Sequence, residues 1–270
     1  MISDEAGGGK VGKYESQKVL KWNDGEVESI EDEVVVESSL SLTVNGREVV
    51  TLLSSPADRK ELALGFLKTE GLIGSMDPVK RIELSDSKKN VAVKLEESTE
   101  FEQYFERKRA LTSSCGRATA VVENLDTLEL DFSGPSIHGP EKLPSLMGDM
   151  QKRAELFRLT GGSHTAAIAN GKEIIHLAED IGRHNAVDKV IGKSLFSGEN
   201  LEERIIFTSG RLSSEMTLKA IRSRVPITVS RSAPTTLAVR IARAANLSMV
   251  GFTRGNRMNI YSGRGRLLGS

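Results

Sequence analysis

The sequence predicts an α/β domain with an at least partly parallel sheet covered by helices, preceded by a smaller α+β unit. Helical and extended segments alternate through residues 183–262, which is the pattern of βαβ units. Two dipeptides between apolar runs, Asn45-Gly46 and Asn170-Gly171, are strong signals for hairpin turns. The composition, 38% hydrophobic and 27% charged, is typical of a folded globular chain.

The smaller unit is predicted to span residues 31–105, after a polar and mobile tail at residues 1–30. Ser55-Pro56-Ala57-Asp58 has the features of a helix start: a capping serine, a proline in the first turn and an acid three residues on. This helix is expected to end before Gly71. The predicted strands of the unit cover residues 34–37, 40–44, 49–53, 79–84 and 90–95.

The main domain is predicted to span residues 106–270. Its first helix, at residues 145–159, is expected to end at Gly161-Gly162. Further helices are predicted at residues 183–195, 213–224 and 234–246, and strands at 165–169, 173–177, 204–208, 227–230, 248–252 and 259–262. The carboxyl ends of parallel strands share one edge of a sheet, and ligands bind there in α/β folds.

Charge is distributed unevenly along a chain whose formal net charge is zero. Residues 1–150 hold 18 basic and 28 acidic side chains, whereas residues 151–270 hold 19 basic and 9 acidic ones. The zero net charge argues against a general nucleic-acid binder, because phosphate contacts need surplus cations. The basic C-terminal half instead predicts a local anion site.

Several classes of protein are excluded by simple patterns. No apolar run approaches the roughly 18–20 residues that span a bilayer, and the N-terminus lacks the apolar core of a signal peptide. We therefore expect a cytoplasmic protein without membrane contact. The single cysteine, Cys115, excludes an intramolecular disulfide and a thiolate-only zinc site. The zinc-deaminase signature is absent, and four histidines do not easily complete a metal site, so we expect no metal.

Cys115 is the first candidate for chemistry. Small and flexible residues surround it at positions 111–119, where a buried structural thiol would have bulky apolar neighbours. Arg117 favours the thiolate, the form that attacks a sulfur electrophile. A lone cysteine is more often a small buried hydrophobe, and the local sequence leaves both interpretations open.

A second candidate lies between the first helix and the first strand of the main domain. Gly161 and Gly162 allow backbone amides to approach a ligand, and His164 follows at the edge of the loop. His164 is placed to contact an anion or to orient a cysteine. The alternative is an ordinary helix C-cap followed by a surface histidine.

The densest polar run of the chain, residues 179–189, leads from a predicted strand into a helix. Exposed amides at a helix start, together with Arg183, His184 and Asn185, suit a phosphate or another anion. Pairing of Arg183 with Asp188 across a domain contact is the alternative.

Three further loops follow predicted strands of the main domain. Ser209 and Arg211 lie in the first loop, and Ser232 lies in the second. The third combines an aromatic face with two guanidinium groups, which suits a purine ring and phosphates. Its residues are Phe252, Thr253, Arg254, Gly255, Asn256 and Arg257. Each loop alone fits an ordinary connection, but three such loops at equivalent strand ends favour a binding site.

With these motifs assembled, the chain resembles the FdhD/NarQ family of formate dehydrogenase accessory sulfurtransferases. The run from Glu179 to Lys189, with its Arg-His-Asn core, carries most of the specificity. The other matching motifs are Val44-Asn45-Gly46, residues 61–67 with Glu70-Gly71, Ser114-Cys115-Gly116, residues 160–164, Ser209-Gly210-Arg211, residues 232–235 and Gly251-Phe252.

The resemblance implies a fold and a function. The fold is a cytidine-deaminase-like mixed sheet with helices on both faces, plus a small N-terminal α+β domain, usually as a homodimer. The function is transfer of persulfide sulfur from a cysteine desulfurase to the bis(molybdopterin guanine dinucleotide) cofactor, containing molybdenum or tungsten, of formate dehydrogenase. The family's catalytic cysteine corresponds to Cys115, and its guanine-dinucleotide segment corresponds to residues 252–257.

One departure from the family pattern keeps alternatives open. Many members carry Cys-x-x-Cys, whereas Cys115 is followed by Gly116, Arg117 and Ala118. A persulfide carrier needs one sulfur nucleophile, and a second thiol would relay or resolve the persulfide. The main alternative is therefore a cofactor-binding chaperone that moves no sulfur. A nucleotide-processing enzyme on the same scaffold is a second alternative, which no metal ligands support.

Overall fold

The computed structural model of the chain describes residues 12–96, residue 132 and residues 140–268. These residues form three sheets, of two, four and six strands. The mixed α/β fold class predicted from the sequence is confirmed. Among the described residues, no helix has both the length and the apolar character needed to cross a membrane.

The six-stranded sheet is the centre of the molecule and has the strand order β12-β11-β10-β9-β7-β8. Strands β9, β10 and β11 are parallel to one another, β7 and β12 flank them antiparallel, and β8 pairs antiparallel with β7 at the edge. The strands are β7 (His164–Ala169), β8 (Ile174–Asp180), β9 (Ile205–Thr208), β10 (Ile227–Ser230), β11 (Ser248–Arg254) and β12 (Arg257–Ser262). As the Asn170-Gly171 signal predicts, β7 and β8 form a hairpin.

Helices cover both faces of this sheet because its strands alternate apolar side chains between two cores. The helices of this domain are α2 (Lys142–Lys152), α3 (Glu155–Thr160), α4 (Arg183–Phe196), α5 (Ser214–Arg222), α6 (Thr236–Ala244) and α7 (Arg264–Leu268). Ile168, Ile206 and Met249 belong to the core beneath α4, α5 and α6, whereas Phe207 and Val229 belong to the core beneath α2. The single helix predicted at residues 145–159 is instead two helices, α2 and α3, which meet at Arg153 and Ala154.

The smaller unit consists of a four-stranded sheet, in the order β4-β3-β6-β5, and one helix. Its elements are β3 (Ser38–Val44), β4 (Arg47–Ser54), α1 (Arg59–Thr69), β5 (Val79–Leu84) and β6 (Asn90–Leu95). The hairpin signal at Asn45-Gly46 is confirmed, since the turn joins β3 to β4. Leu62, Leu64 and Leu67 of α1 are fully buried in the core of this unit.

Helix α1 also packs against α4, which joins the smaller unit to the main sheet. Two glycines make this approach possible. A Cβ atom at Gly65 would lie 1.7 Å from the carbonyl oxygen of Asp188, and one at Gly192 would lie 1.9 Å from that of Glu61. The backbones of the two helices therefore touch at points where no side chain fits.

Order begins earlier than the sequence predicts. Residues 1–30 were expected to be a mobile tail, yet β1 (Tyr14–Asn23) and β2 (Glu26–Val35) form a long antiparallel hairpin. Its turn is Asp24-Gly25, with positive φ at both residues, and Asp-Gly is itself a hairpin signal. The side chains of these strands are largely exposed and mostly polar, so the sequence lacks the apolar alternation that would predict two strands here.

Candidate functional site

The loops that follow β9, β10 and β11 meet at one edge of the main sheet. The Ser230 hydroxyl donates to the Gly210 carbonyl at 2.6 Å, and the Leu212 amide donates to the Ala233 carbonyl at 3.1 Å. The Phe252 amide donates to the Ser232 carbonyl at 3.0 Å. The structure thus brings together the three loops that the sequence placed at equivalent strand ends.

Three helices begin at this same edge. Helix α4 begins at Arg183, and α5 and α6 begin after the capping side chains of Ser213 and Thr235, which accept from the amides of Met216 and Ala238. A helix N-terminus carries partial positive charge and unpaired backbone amides. The edge of the sheet is therefore suited to an anionic ligand.

His164 reaches the edge because β7 runs antiparallel to β9, so that it begins where β9 ends. Its Nδ1 atom lies 3.2 Å from the Ser209 hydroxyl, whose oxygen also accepts from the Thr165 amide at 3.1 Å. Burial, and then the charge of Arg183, lower the pKa of His164. The imidazole is therefore neutral at pH 7, with one nitrogen able to accept a proton or hydrogen bond.

Arg183 packs directly over the Ser209–Arg211 loop. A Cβ atom at Gly210 would lie 2.8 Å from the Cβ of Arg183, so glycine allows this contact. The Nε atom of Arg183 is buried and has no hydrogen-bond partner among the residues that the structure describes. An unsatisfied buried guanidinium nitrogen is costly, and an anionic oxygen is the partner that would satisfy it best.

His184 lies between the edge and a cavity of about 350 Å³ under the smaller unit. Leu52 and Phe66 line this cavity from one side, and Glu215 and Lys219 line it from the other. The His184 Nε2 atom is 3.3 Å from the Glu215 carboxylate, without the alignment of a hydrogen bond. Burial first, and nearby Arg183 second, lower the pKa of His184 to about 4.

The third loop presents its aromatic and basic groups to solvent. Phe252 is 39% exposed, and its φ of 52° is a strained backbone conformation for a non-glycine residue. Arg254 and Arg257 are exposed, and Arg254 donates to the Arg231 carbonyl at 3.2 Å. Gly255 adopts a φ of 55° and, with the exposed Asn256, forms the turn before β12. Thr253 is fully buried, so it lies beneath the surface that a ligand could contact.

Some of the candidate residues have structural partners. The Asn185 side chain is buried and donates to the Leu53 carbonyl and to Asp180, at 2.8 and 2.9 Å. Gly161 ends α3 with a φ of 64°, and Gly162 packs against Val35. The glycine pair thus follows the helix-cap alternative, although His164 beside it reaches the cluster of loops.

One interpretation of the sequence paired Asp188 with Arg183, but the structure does not contain this pair. It is buried and accepts from Lys219 at 2.8 Å and from the Thr69 hydroxyl at 2.8 Å. Burial raises the pKa of Asp188, and Lys219 opposes that shift. Sequence reasoning missed Lys219 because its partners lie 31 and 150 residues away.

The candidates for sulfur and metal chemistry have different outcomes. Cys115 lies outside the described residues, so its role as the sulfur nucleophile stays a prediction. Within the residues described, no three histidine, cysteine or carboxylate side chains converge as metal ligands would.

Comparison with known proteins assigns the family. The model of the FdhD/NarQ family matches residues 35–268. The chain belongs to the FdhD/NarQ family. The family match includes all the loops described above and Cys115.

Individual FdhD/NarQ relatives resemble the chain over nearly its whole length. The "Sulfur carrier protein FdhD" of Bacillus licheniformis is 36% identical over 254 residues, which cover 93% of this chain and 96% of the relative. The protein of the same name in Bacillus subtilis is 37% identical over 246 residues, covering 90% and 94%. A crystal structure from Desulfotalea psychrophila, described as a formate dehydrogenase accessory protein, has a TM-score of 0.77 at 23% identity. The alignment covers 95% of this chain and 100% of the chain in the crystal structure, and it supports the fold.

We expect acid to destabilise this FdhD/NarQ protein through His184 between about pH 6.5 and pH 4. The unfolded chain binds a proton on His184 in this window, whereas the folded chain excludes it, so the free energy of unfolding falls as the pH falls. Urea denaturation at several pH values measures the effect. His184→Gln, which cannot titrate, should lose less stability over this window than the wild type. Equal losses in the two proteins would contradict the prediction.

Proposed function

We propose that the protein is a sulfur carrier that passes persulfide sulfur from a cysteine desulfurase to the bis(molybdopterin guanine dinucleotide) cofactor of formate dehydrogenase. Sulfur carriage is the function named for its curated relatives. The observation that carries the proposal is the convergence of three loops and three helix N-termini around Arg183 at one edge of the sheet. This edge suits the phosphates of a dinucleotide.

The cofactor, with molybdenum or tungsten, is a substrate in this proposal and not a resident group. Arg183, His164 and Ser209 are proposed to contact one of its phosphates, and Arg211 and Ser232 extend the same surface. Phe252 is proposed to stack on the guanine, with Arg254 and Arg257 near the diphosphate. We further propose that the fold is cytidine-deaminase-like, as the mixed sheet with helices on both faces supports, and that the protein acts as a cytoplasmic homodimer.

Cys115 is proposed to hold the sulfur as a persulfide. Its thiolate attacks the outer sulfur of the desulfurase persulfide, and the desulfurase thiolate leaves. Incubation with a cysteine desulfurase and cysteine is expected to add the mass of one sulfur atom to a peptide containing Cys115, and reduction should remove it. Cys115→Ser should gain no mass. Active formate dehydrogenase in cells that carry only Cys115→Ala would refute the catalytic assignment.

A cofactor-binding chaperone is the second candidate, and the single cysteine favours it. Ala118 occupies the position where many family members carry the second thiol. Retained cofactor binding without a persulfide on Cys115 would select this alternative.

Guanine nucleotide binding tests the exposed loop independently of sulfur. Guanosine diphosphate serves as the probe, and Phe252→Ala is expected to weaken its binding by roughly tenfold, because stacking on a base contributes about 1–3 kcal/mol. Arg264→Ala is the matched control, since Arg264 is exposed but follows the opposite end of β12. Isothermal titration calorimetry measures the dissociation constant of guanosine diphosphate for each variant and for the wild type. Equal affinity of Phe252→Ala and the wild type would place the guanine elsewhere.

A further inference from the structure

The hairpin of β1 and β2, residues 14–35, is the most exposed apolar element of the structure, and we name it the arm. Its large exposed apolar side chains include Leu20 at 75%, Trp22 at 70% and Val27 at 62%. Trp22 and Val27 face each other across the hairpin, and Leu20 lies two residues before Trp22 on the same face. Five of the eleven exposed large apolar residues described in the chain belong to the arm.

The described part of the chain gives the arm little support. Its main contact with these residues is at its base, where β2 packs against α3 and Val35 meets Gly162. A two-stranded hairpin is at best marginally stable alone in water, because it buries too little apolar surface. A surface that covers the apolar face of the arm would provide the missing burial.

The distribution of charge indicates which surface covers the apolar face of the arm. The arm carries seven carboxylates and two lysines. From Ile205 onward the chain carries eleven Lys or Arg residues and a single acid, Glu215. Helix α6 lies in this basic stretch and exposes Arg240 and Arg243, and neither pairs with a carboxylate in the described part of the chain.

We propose that the arm docks on the outer face of α6 in a second copy of this chain. In a two-fold dimer each arm contacts the α6 of the other copy, so that the same contact forms twice. The indole of Trp22 can stack on the guanidinium of Arg240 or Arg243, and Glu31 and Glu33, which lie on the same face of the arm as Trp22, can pair with the cations.

The arm contact would be the interface of the proposed homodimer, and it rests on the homodimer alone among the parts of the proposed function. Persulfide formation on Cys115 is measured separately, so a failed arm contact would not refute sulfur carriage, and failed sulfur carriage would not refute the arm contact.

A charge exchange on the full-length chain tests the contact. Glu31→Lys with Glu33→Lys makes the Trp22 face of the arm basic, because Glu31 and Glu33 are the two strand carboxylates on that face and Lys18 is its other charged side chain. Arg240→Glu with Arg243→Glu makes α6 acidic. Each double variant alone should dimerise at least tenfold more weakly than the wild type, whereas an equimolar mixture should dimerise as the wild type does, because both of its arm contacts are complementary. Glu48→Lys with Asp86→Lys changes the charge equally outside the arm and should have no effect.

Light scattering and tryptophan emission give the result. Trp22 is the only tryptophan of the chain, so its emission should shift to shorter wavelength as the wild type dimerises, and back on dilution. A wild type that stays monomeric through the micromolar range would overturn both the homodimer and the arm contact. A dimer that both double variants retain, or a mixture that does not restore dimerisation, would overturn the arm contact alone. Binding of the arm to a desulfurase instead of a second copy would also overturn it.

Discussion

Gly65→Ala is expected to separate α1 from α4 and to destabilise the protein by at least about 1–3 kcal/mol, the usual range for overpacking a tight contact. The new methyl group would lie 1.7 Å from the Asp188 carbonyl oxygen, and its other near neighbours are backbone atoms of the same residue. Backbone within a helix cannot rotate aside as a flexible side chain can, so the helices must move apart. Gly192→Ala should have a similar effect, because its methyl group would meet the Glu61 carbonyl at 1.9 Å.

Gly148→Ala is the matched control for this prediction. Gly148 lies within helix α2, and a Cβ atom there would have no neighbour within 4 Å. Alanine is the better helix former, so this variant should be stabilised by about 0.5–1 kcal/mol. Urea denaturation followed by circular dichroism compares the three variants. A Gly65→Ala protein as stable as Gly148→Ala would show that the helices do not approach as closely as described.

The contact between the two helices also has a functional consequence. Helix α4 carries Arg183 and His184 at its first turn, so a displaced α4 moves both side chains relative to Ser209. We therefore expect Gly65→Ala to weaken guanosine diphosphate binding as well. The glycine in the smaller unit would then affect a site that it does not touch.

The sequence predicted most of the local structure because local signals determine it. The strands at residues 79–84, 90–95 and 227–230 have the predicted bounds. The helix that Ser55 was expected to cap begins instead at Arg59, after Asp58 in a left-handed conformation. The Ser55 hydroxyl contacts Asp180 and Lys189 of the main domain, and a partner more than 120 residues away is invisible to a capping rule.

The candidate site was predictable in outline for a different reason. Loops after parallel strands must share an edge, so their meeting follows from the order of the strands. Which side chains face the edge depends on packing, and there the sequence could not separate Arg183 from Asn185. Arg183 packs over Gly210, whereas Asn185 is buried against Leu53 and Asp180.

Lys189→Met is expected to cost about 3–5 kcal/mol of stability, because it leaves the Asp180 carboxylate buried without its cation. Both side chains are fully buried, and Nζ lies 2.6 Å from the carboxylate. Lys189 also donates to the Ser55 hydroxyl at 2.7 Å and to the Glu179 carbonyl at 3.2 Å. Burial lowers the pKa of Lys189, and the attraction of Asp180 opposes that shift.

The same ion pair connects stability to the site. Asp180 accepts from the Gly182 amide at 2.9 Å, just before α4 begins, and from the Ser55 amide at 3.0 Å in the smaller unit. The carboxylate thus fixes both the start of α4 and the adjacent unit. Asp180→Asn alone should also be strongly destabilising, since it leaves the buried ammonium of Lys189 without a countercharge.

A double-mutant cycle separates the pair from its surroundings. If the buried charges depend on each other, Asp180→Asn combined with Lys189→Met should cost clearly less than the sum of the two single losses. Lys152→Met is the control, because Lys152 and Asp149 form an exposed pair at 3.5 Å whose loss should cost under about 1 kcal/mol. Additive losses in urea denaturation would contradict a coupled pair. A coupled result would indicate that the start of α4, and Arg183 with it, depends on an ion pair that no ligand contacts.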